Sequence, residues 1–412
     1  MSPTESTLTL VLALGADTRL APLTTDRAKS AIPFGGNYRV IDFTLANCLR
    51  SGLRRALVFT QYRSHSLQQH LRDGWSIFNP ELGEFITSIP PQMMSDSAGY
   101  AGAIDALYQN LHMVERSASD YVCVLSGEHV YRMDYAALID FHVARKAAAT
   151  IACIRPDDLI YKDFQCRVEV EGEAVAAFAA PGPPARENSV ASMEVYVFSK
   201  AAFVQAVTEI RRAAPPGPVD PGSALIPHFI RQGARVVPYH FGGKSGRVTQ
   251  DRYWRRIETL DDYYEANMDL LRPEPPIDLY QRDWSIRTYH AQNPPARTVP
   301  GRSSAEGVCI NSIVASGTVI AGGGVNHSIL FPRVTVEDGA TVEDCILLAG
   351  VEVGDGARLH HCIVDKHVQI PAGETIGYDR ARDAERFTVT PKGITVVPKG
   401  FRFAQPADGP QH

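Results

Sequence analysis

The residues best placed to do chemistry follow the first apolar run of the chain. Val11–Ala13 leads into a tight turn that contains Gly15, and two cations, Arg19 and Lys29, come after it. Backbone N–H groups in such a turn, together with nearby cations, bind phosphate groups because both present positive charge to an anion. A loop that presses its backbone against phosphates usually needs several glycines, whereas this turn has Gly15 alone and adds the carboxylate of Asp17. The segment therefore predicts a phosphate site with an unusual loop.

An alternation of strands and helices must position this loop. Apolar runs predict strands, and helical spacing predicts helices between them. The strands are Leu8–Ala13, Arg55–Thr60, Tyr121–Leu125 and Thr150–Ile154, and the helices are Asp42–Ser51, Ser66–Leu71, Gly102–Glu115 and Tyr135–Lys146. This order is typical of a Rossmann-like α/β domain with a mostly parallel sheet, in which ligands bind at the carboxyl ends of the strands. We expect residues 1–290 to form this domain, with a proline-marked linker at about 272–300.

Beyond residue 300 the pattern changes to a period of six. Apolar residues recur at every sixth position in three sets, which are Ile313, Val319 and Val325, then Val334, Ala340 and Ile346, then Val351, Ala357 and Ile363. Three positions per set describe one coil of a triangular β-helix, each coil stacking on the next. A plain run of alternating strands is the alternative, but it fits a period of six poorly. We expect residues 300–412 to form a left-handed β-helix of hexapeptide repeats, a fold whose default role is structural or oligomerising.

Composition excludes several classes of protein. The formal net charge of -5 gives no basic surface for a nucleic-acid partner. No apolar run reaches the ~18 residues of a membrane-spanning helix, and the segment Met1–Glu5 lacks the basic region of a signal peptide. The seven cysteines form no CxxC pair and lie mostly in apolar stretches, which indicates buried, reduced thiols. We therefore expect a cytoplasmic protein with neither nucleic-acid nor membrane partners.

Further motifs follow in order along both predicted domains. They are Gly35–Phe43, Thr60–Trp75, Tyr100–Asn110, Gly127–Tyr135, Ala191–Phe198, Tyr253–Arg255 and Leu279–Tyr289. Together with the first loop they closely resemble the bacterial glucose-1-phosphate adenylyltransferases (ADP-glucose pyrophosphorylases), from about residue 8 to at least residue 378. The resemblance implies that ATP and glucose 1-phosphate are converted to ADP-glucose and pyrophosphate for glycogen synthesis. It also implies Mg²⁺ and a tetramer.

The resemblance assigns roles to individual residues. Arg19 matches the arginine of the family's phosphate loop, and Glu128 stands at the metal-binding aspartate of its Gly-Asp-His motif, so these two are the predicted catalytic residues and Glu128 is the candidate metal ligand. The predicted substrate-binding residues are Gly15, Lys29, Tyr100, Gly102, Asp105 and Ser192. Lys29 belongs to an Arg-Ala-Lys motif, and Ser192 matches a serine that contacts the sugar phosphate. A surface position for Arg19 and a packing role for Tyr100 are the alternatives.

Other positions depart from the family pattern. The loop Gly-Gly-Arg-Gly-Ser/Thr-Arg is Leu14–Arg19 here, so that two glycines and one arginine are lost and Asp17 is gained. Three sugar-phosphate motifs with glycine or lysine have become Phe164–Cys166, Phe178–Gly182 and Asp220–Ala224. The family's Tyr-Trp-Arg-Asp-Val-Gly-Thr carries the second metal aspartate, and that position is Arg256. An arginine can replace the charge of an ion but cannot coordinate one.

These changes leave three hypotheses for the function. The first is a family member with weak or no catalysis that acts as a regulatory subunit, as a homo-oligomer or assembled with an active homologue. The second is an active ADP-glucose synthase with unusual ligands, which requires Mg²⁺ and binds ATP and glucose 1-phosphate. The third is a protein that binds a sugar nucleotide or another metabolite, in which Arg256 contacts an anion of the ligand.

Overall fold

A computed structural model describes most of the chain. The described residues are 2–15, 17–92, 99–155, 166–179, 189–213, 217, 219–243, 246–248 and 251–403. Several of the altered motif positions, namely Ala16, Phe164, Gln165 and Ala180–Gly182, lie outside the described residues.

The first part of the chain builds one large sheet covered by helices and two ribbons of two strands each. Its strands are β1 (Thr7–Ala13), β2 (Pro33–Phe34), β3 (Tyr38–Arg39), β4 (Arg55–Thr60), β5 (Phe85–Ile89), β6 (Tyr121–Ser126), β7 (His129–Tyr131), β8 (Ala149–Ile154), β9 (Arg167–Glu171), β10 (Ala174–Ala179), β11 (Ser189–Ser199), β12 (Val236–His240) and β13 (Trp254–Arg256). Its helices are α1 (Val40–Arg50), α2 (His65–Trp75), α3 (Ala103–Gln109), α4 (Leu111–Arg116), α5 (Tyr135–Ala144), α6 (Lys200–Ala213), α7 (Pro221–Arg231) and α8 (Leu260–Met268). The two ribbons pair β2 with β3 and β7 with β13. The strands of the large sheet are apolar because helices bury both faces of the sheet.

The sheet has nine strands in the order β10-β9-β11-β6-β1-β4-β5, and β8 and β12 attach beside β11. Its central strands are parallel, with Val11 paired to Leu125 on one side and to Val58 on the other. β11 runs antiparallel to β6 and continues along β8 and β9. Because β1 ends at Ala13, the Gly15 turn lies at the carboxyl edge of the parallel strands, where the sequence predicts a ligand site.

One predicted helix is divided in the structure. The spacing predicts a single helix over Gly102–Glu115, but α3 ends and α4 begins at Asn110. The Asn110 amide donates to the carbonyl oxygen of Ala106 and to the hydroxyl of Tyr100. An asparagine side chain that bonds the backbone in this way competes with helix propagation, which explains the break.

The second part of the chain is a β-helix. Its strands are β14 (Arg297–Val299), β15 (Val308–Ile310), β16 (Ile313–Val314), β17 (Val319–Ala321), β18 (Gly324–Asn326), β19 (Ile329–Leu330), β20 (Thr335–Val336), β21 (Thr341–Glu343), β22 (Ile346–Leu347), β23 (Glu352–Val353), β24 (Arg358–His360), β25 (Cys362–Val364), β26 (Gln369–Ile370), β27 (Thr375–Ile376), β28 (Thr388–Val389) and β29 (Thr395–Val397), with the short helix α9 (Arg380–Ala384). Up to β27 every third strand pairs in parallel, which gives three sheets, one for each side of a triangle. In the third sheet β25 continues in parallel to β29, and β28 pairs with β29 in antiparallel orientation. Ile329, Ile346 and Ile363 stand in register on successive coils and are fully buried. This stack confirms the predicted hexapeptide β-helix, left-handed as its repeats imply.

A corner of a coil requires glycine where the backbone of another coil lies closest to it. Gly377 has φ +87°, and a Cβ atom there would lie 1.6 Å from the carbonyl oxygen of His360. Gly356 has a similar φ of +64° but no heavy atom within 4 Å of that Cβ position. We therefore expect Gly377→Ala to lower the free energy of unfolding by about 2 kcal/mol, roughly twice the loss in Gly356→Ala, which has the backbone cost alone. Urea unfolding followed by circular dichroism measures both, and equal losses would contradict the role of the close approach.

The two parts of the chain share a hydrophobic core. Phe331, Ile346 and Ile363 of the β-helix belong to the same buried cluster as Phe34 and Tyr263 of the α/β part. Polar contacts reinforce this contact surface: the hydroxyl of Tyr264 donates to the carbonyl oxygen of Asp344 (2.7 Å). The guanidinium of Arg27 also donates to both carboxylate oxygens of Asp365, at 2.8 and 3.0 Å.

All seven cysteines are free thiols: five are buried, Cys166 is partly buried and Cys309 is exposed. None of the helices in the described part of the chain is long and apolar enough to cross a membrane.

Candidate active site

The loop after β1 is held by its own carboxylate. Asp17 begins a 3₁₀ turn over Thr18–Leu20, in which its side chain accepts a hydrogen bond from the backbone N–H of Arg19 at 3.1 Å. The same carboxylate lies 2.8 Å from the Arg19 guanidinium and 3.4 Å from the Nζ atom of Lys29. The two cations that the sequence predicts for phosphate binding are therefore both paired with Asp17.

Glu128 completes this side of the site. It follows β6, and one of its carboxylate oxygens lies 3.0 Å from the Nζ atom of Lys29. A Cβ atom at Gly15 would lie 2.6 Å from the other oxygen, so the first loop packs directly against Glu128. A larger residue at position 15 would displace the Glu128 carboxylate.

The opposite side of the site comes from a short ribbon of two strands. β13 pairs antiparallel with β7, which places Arg256 opposite His129. The Arg256 guanidinium lies 2.8 Å from a carboxylate oxygen of Glu194 and 2.8 Å from one of Glu258. Glu258 also accepts a hydrogen bond from Arg19 at 3.4 Å, and this contact joins the ribbon to the first loop.

A bulge in β11 directs Glu194 into the site. The register between β11 and β8 shifts between Ser192 and Tyr196, and within this shift Glu194 has φ +56°. A β-bulge of this kind re-aims a side chain, and a left-handed conformation at a residue other than glycine is a strained one that concentrates at functional sites. The hydroxyl of Ser192 accepts a hydrogen bond from the backbone N–H of Glu194 at 3.3 Å, so the predicted sugar-phosphate serine borders the same site.

We call the seven paired groups the ion-pair network; they are Asp17, Arg19, Lys29, Glu128, Glu194, Arg256 and Glu258. Burial opposes the charge of Lys29, but Glu128 and Asp17 outweigh it and raise the pKa of the lysine. Burial raises the pKa of Glu194 to about 7, against the opposing effect of Arg256 and with the support of the nearby Asp220 and Glu128. With three cations and four carboxylates, the network neutralises its own positive charge.

These residues do not fit the Mg²⁺ site that the resemblance implies. Of the two implied carboxylates, Glu128 is paired with Lys29, and the second position is the guanidinium of Arg256. Among the residues that the structure describes, no group of three or more His, Cys, Asp or Glu side chains is arranged to hold a metal ion. Hard cations such as Mg²⁺ need oxygen ligands in near-ideal geometry, which an arginine cannot supply.

The other predicted substrate residues form a separate group around α3. Tyr100 is buried against Phe59, and its backbone N–H and carbonyl oxygen both bond the side chain of Gln61. Gly102 begins α3, and the Asp105 carboxylate accepts hydrogen bonds from the backbone N–H of Ala101 and from the Gln109 amide. Tyr100, Gly102 and Asp105 therefore shape this loop. Gly15, Lys29 and Glu128 lie together, Arg19 joins them through Asp17, and Ser192 borders Glu194.

Two residues of the site are missed by reasoning from the sequence alone. They are Glu258, which lies in the altered motif around Arg256, and Glu194, a carboxylate in the apolar strand β11. The sequence does contain an indication of Glu194: it is a charged residue within an apolar strand, and a buried charge needs a partner. Its partner Arg256 is distant in sequence and becomes visible only in the folded chain.

Comparisons with known proteins agree with this architecture. The nucleotidyl transferase family model matches residues 8–272, and the GlmU-like C-terminal hexapeptide model matches residues 294–397. A protein named glucose-1-phosphate adenylyltransferase 2 from Vibrio vulnificus is 53% identical over 97% of this chain and 100% of its own length. Its counterpart of the same name from Vibrio cholerae is 48% identical over 97% and 99% of the two chains. Glucose-1-phosphate adenylyltransferase of Nitrosococcus oceani is 38% identical over 96% and 94%.

The relatives match along almost the full length of the chain, and the family models cover both of its parts in the order that the structure shows. The chain therefore belongs to the glucose-1-phosphate adenylyltransferase family.

Proposed function

We propose that this chain makes ADP-glucose weakly or not at all by itself and acts as a regulatory subunit that assembles with an active homologue. The ion-pair network carries the proposal. Transfer of a nucleotidyl group depends on positioned positive charge at the phosphates, and nearly all of the catalysis is electrostatic. In this chain Arg19, Lys29 and Arg256 each face at least one carboxylate of the chain itself.

The scaffold that assembly requires is retained. The β-helix is continuous from β14 to β29, and its core is joined to that of the α/β part. The catalytic positions depart from the family pattern, whereas the framework of the two parts follows it. This combination favours a role in assembly with other subunits. ATP and glucose 1-phosphate remain the proposed ligands of the family site, and Mg²⁺ the ion that an active partner uses.

The test is a pyrophosphorylase assay on the pure protein with Mg²⁺, ATP and glucose 1-phosphate. We expect turnover at least about a thousandfold below that of an active homologue, since losing a single electrostatic contact costs 10²–10³ in rate. Mixed with that homologue, the chain should co-elute in size-exclusion chromatography and change the response of the mixture to substrates or effectors. Turnover by the pure chain at a level typical of the family would contradict the proposal.

A second candidate is an active ADP-glucose synthase with unusual ligands. It is favoured by the 48–53% identity over 97% of the chain to proteins that are named as adenylyltransferases. The same assay decides between the two. Absence of turnover, absence of co-elution and tight binding of a different sugar nucleotide would instead favour a metabolite-binding protein.

A further inference from the structure

We propose that Glu194 competes with anionic ligands for Arg256. Its carboxylate occupies the position beside the guanidinium that the phosphate of a sugar phosphate would otherwise take. The inference rests on the proposed function, because it concerns the same site, and it adds a residue that sets which ligands the site accepts. The ligand class is a compact dianion, a phosphate monoester or an inorganic oxyanion.

The geometry of Glu194 matches this role. A glutamate carboxylate and a phosphate both present two oxygens to a guanidinium, so each can take the place of the other. The Glu194–Arg256 pair is mostly buried, with 18% and 23% of the two side chains exposed. Glu194 lies against one terminal nitrogen of the guanidinium and Glu258 against Nε. An anion that binds that terminal nitrogen must therefore displace Glu194. Ser192, which borders Glu194, is the serine that the family resemblance assigns to the sugar phosphate.

The backbone of Glu194 is held in a strained conformation. Glu194 has φ +56° in a strand whose neighbours are extended, a conformation that costs roughly 1–2 kcal/mol for a residue with a Cβ atom. Glycine would adopt it freely. The contact of the carboxylate with Arg256 at 2.8 Å offsets this strain.

The experiment measures sulfate binding by isothermal titration calorimetry on the full chain at pH 8. We expect Glu194→Gln, which keeps the shape and removes the charge, to bind sulfate about tenfold more tightly than the unaltered chain. Glu194→Gly should do the same. The matched control is Glu173→Gln, which removes a carboxylate from an exposed ion pair with Arg145 and should leave the affinity unchanged.

Two outcomes would overturn the inference. If Glu194→Gln binds sulfate within about twofold of the unaltered chain, the carboxylate does not compete. If only Glu194→Gly gains affinity, relief of the backbone strain is the cause and charge is not.

A second measurement needs no variant and therefore does not depend on how the variants fold. Glu194 has a pKa of about 7, so lowering the pH from 8 to 6 raises its neutral fraction about tenfold. Since the neutral form does not compete, sulfate affinity should rise about tenfold over this range. The ion itself keeps both charges. A flat profile would contradict the inference.

The other groups that face Glu194 do not produce the same profile. Burial lowers the pKa of His129 well below its usual range, and burial raises the pKa of the Cys166 thiol to about 12, so both stay neutral between pH 6 and 8. Asp220 and Glu128 add negative charge nearby, while Lys29 and Arg256 add positive charge. Burial opposes the charge of both cations, but the carboxylates outweigh it and raise their pKa values, so they stay charged.

The readout separates this inference from the proposed function. If the chain shows no turnover and the Glu194 variants bind sulfate as the unaltered chain does, competition by Glu194 is contradicted and the regulatory proposal is not. If the chain makes ADP-glucose rapidly and Glu194→Gln binds sulfate more tightly, the regulatory proposal is contradicted and competition by Glu194 is supported.

Discussion

A variant that restores the family charges should form ADP-glucose at least about a hundredfold faster than the unaltered chain, a gain of about 2.7 kcal/mol in transition-state stabilisation. The changes are Ala16→Arg, Asp17→Gly, Glu128→Asp, Pro181→Lys, Glu194→Gly, Arg256→Asp and Glu258→Gly. Together they return both metal-binding aspartates and two phosphate-binding cations. They also remove the carboxylates of Asp17, Glu194 and Glu258 from the network. Steady-state assay of ADP-glucose formation with Mg²⁺ measures the effect.

The ion-pair network explains why a single reversal should fail. Arg256→Asp alone places a third carboxylate beside Glu194 and Glu258 and removes the cation that both of them face. We expect this variant to show no gain in activity and a lower midpoint of thermal unfolding, because an uncompensated buried charge is costly. A full gain from Arg256→Asp alone, or no gain from the combined variant, would contradict the role that we give the network.

The second large effect concerns the contact between the two parts of the chain. Arg27→Met should lower the free energy of unfolding by about 3–5 kcal/mol, because it leaves the carboxylate of Asp365 buried without the guanidinium nitrogen that bonds both of its oxygens. Arg27 and Asp365 are 5% and 1% exposed, so water cannot replace the lost bonds. Urea unfolding followed by circular dichroism gives the value.

Two further variants test the cause of that loss. Arg27→Met combined with Asp365→Leu removes both charges and should recover most of the stability, as apolar replacements of buried pairs often do. Arg302→Met breaks a pair of similar length, 2.7 Å to Asp355, whose arginine is 79% exposed, and should cost less than about 0.5 kcal/mol. Equal losses in Arg27→Met and Arg302→Met would show that burial does not set the energy.

The sequence predicted the fold well because its periodicities are strong. The strands β1, β4, β6 and β8 were confirmed within two residues, since continuous apolar runs can satisfy a sheet that is covered on both faces. The period of six was confirmed in two of the predicted sets, whose members are all fully buried: Val334, Ala340 and Ile346, and Val351, Ala357 and Ile363. The break at Asn110 was missed because the spacing of apolar residues does not record that the Asn110 side chain bonds the backbone carbonyl of Ala106.

The site was predicted less completely. Local motifs pointed to Arg19, Lys29 and Glu128, and the structure brings these together. The sequence presents Asp17 and Arg256 as separate losses, whereas the structure pairs Asp17 with Lys29 and Arg256 with Glu194, partners that come from other segments. Such compensation depends on tertiary contacts, so a list of altered motif positions cannot show it.

The core that the α/β part and the β-helix share has a consequence for how the chain can be divided. Phe331, Ile346 and Ile363 lie in the same cluster as Phe34 and Tyr263. A cut near residue 290 would therefore expose apolar side chains of both halves that are buried in the whole chain. Apolar surface exposed in this way promotes aggregation. Fragments ending there should be poorly soluble when expressed separately, although the sequence boundary looks like a natural place to cut.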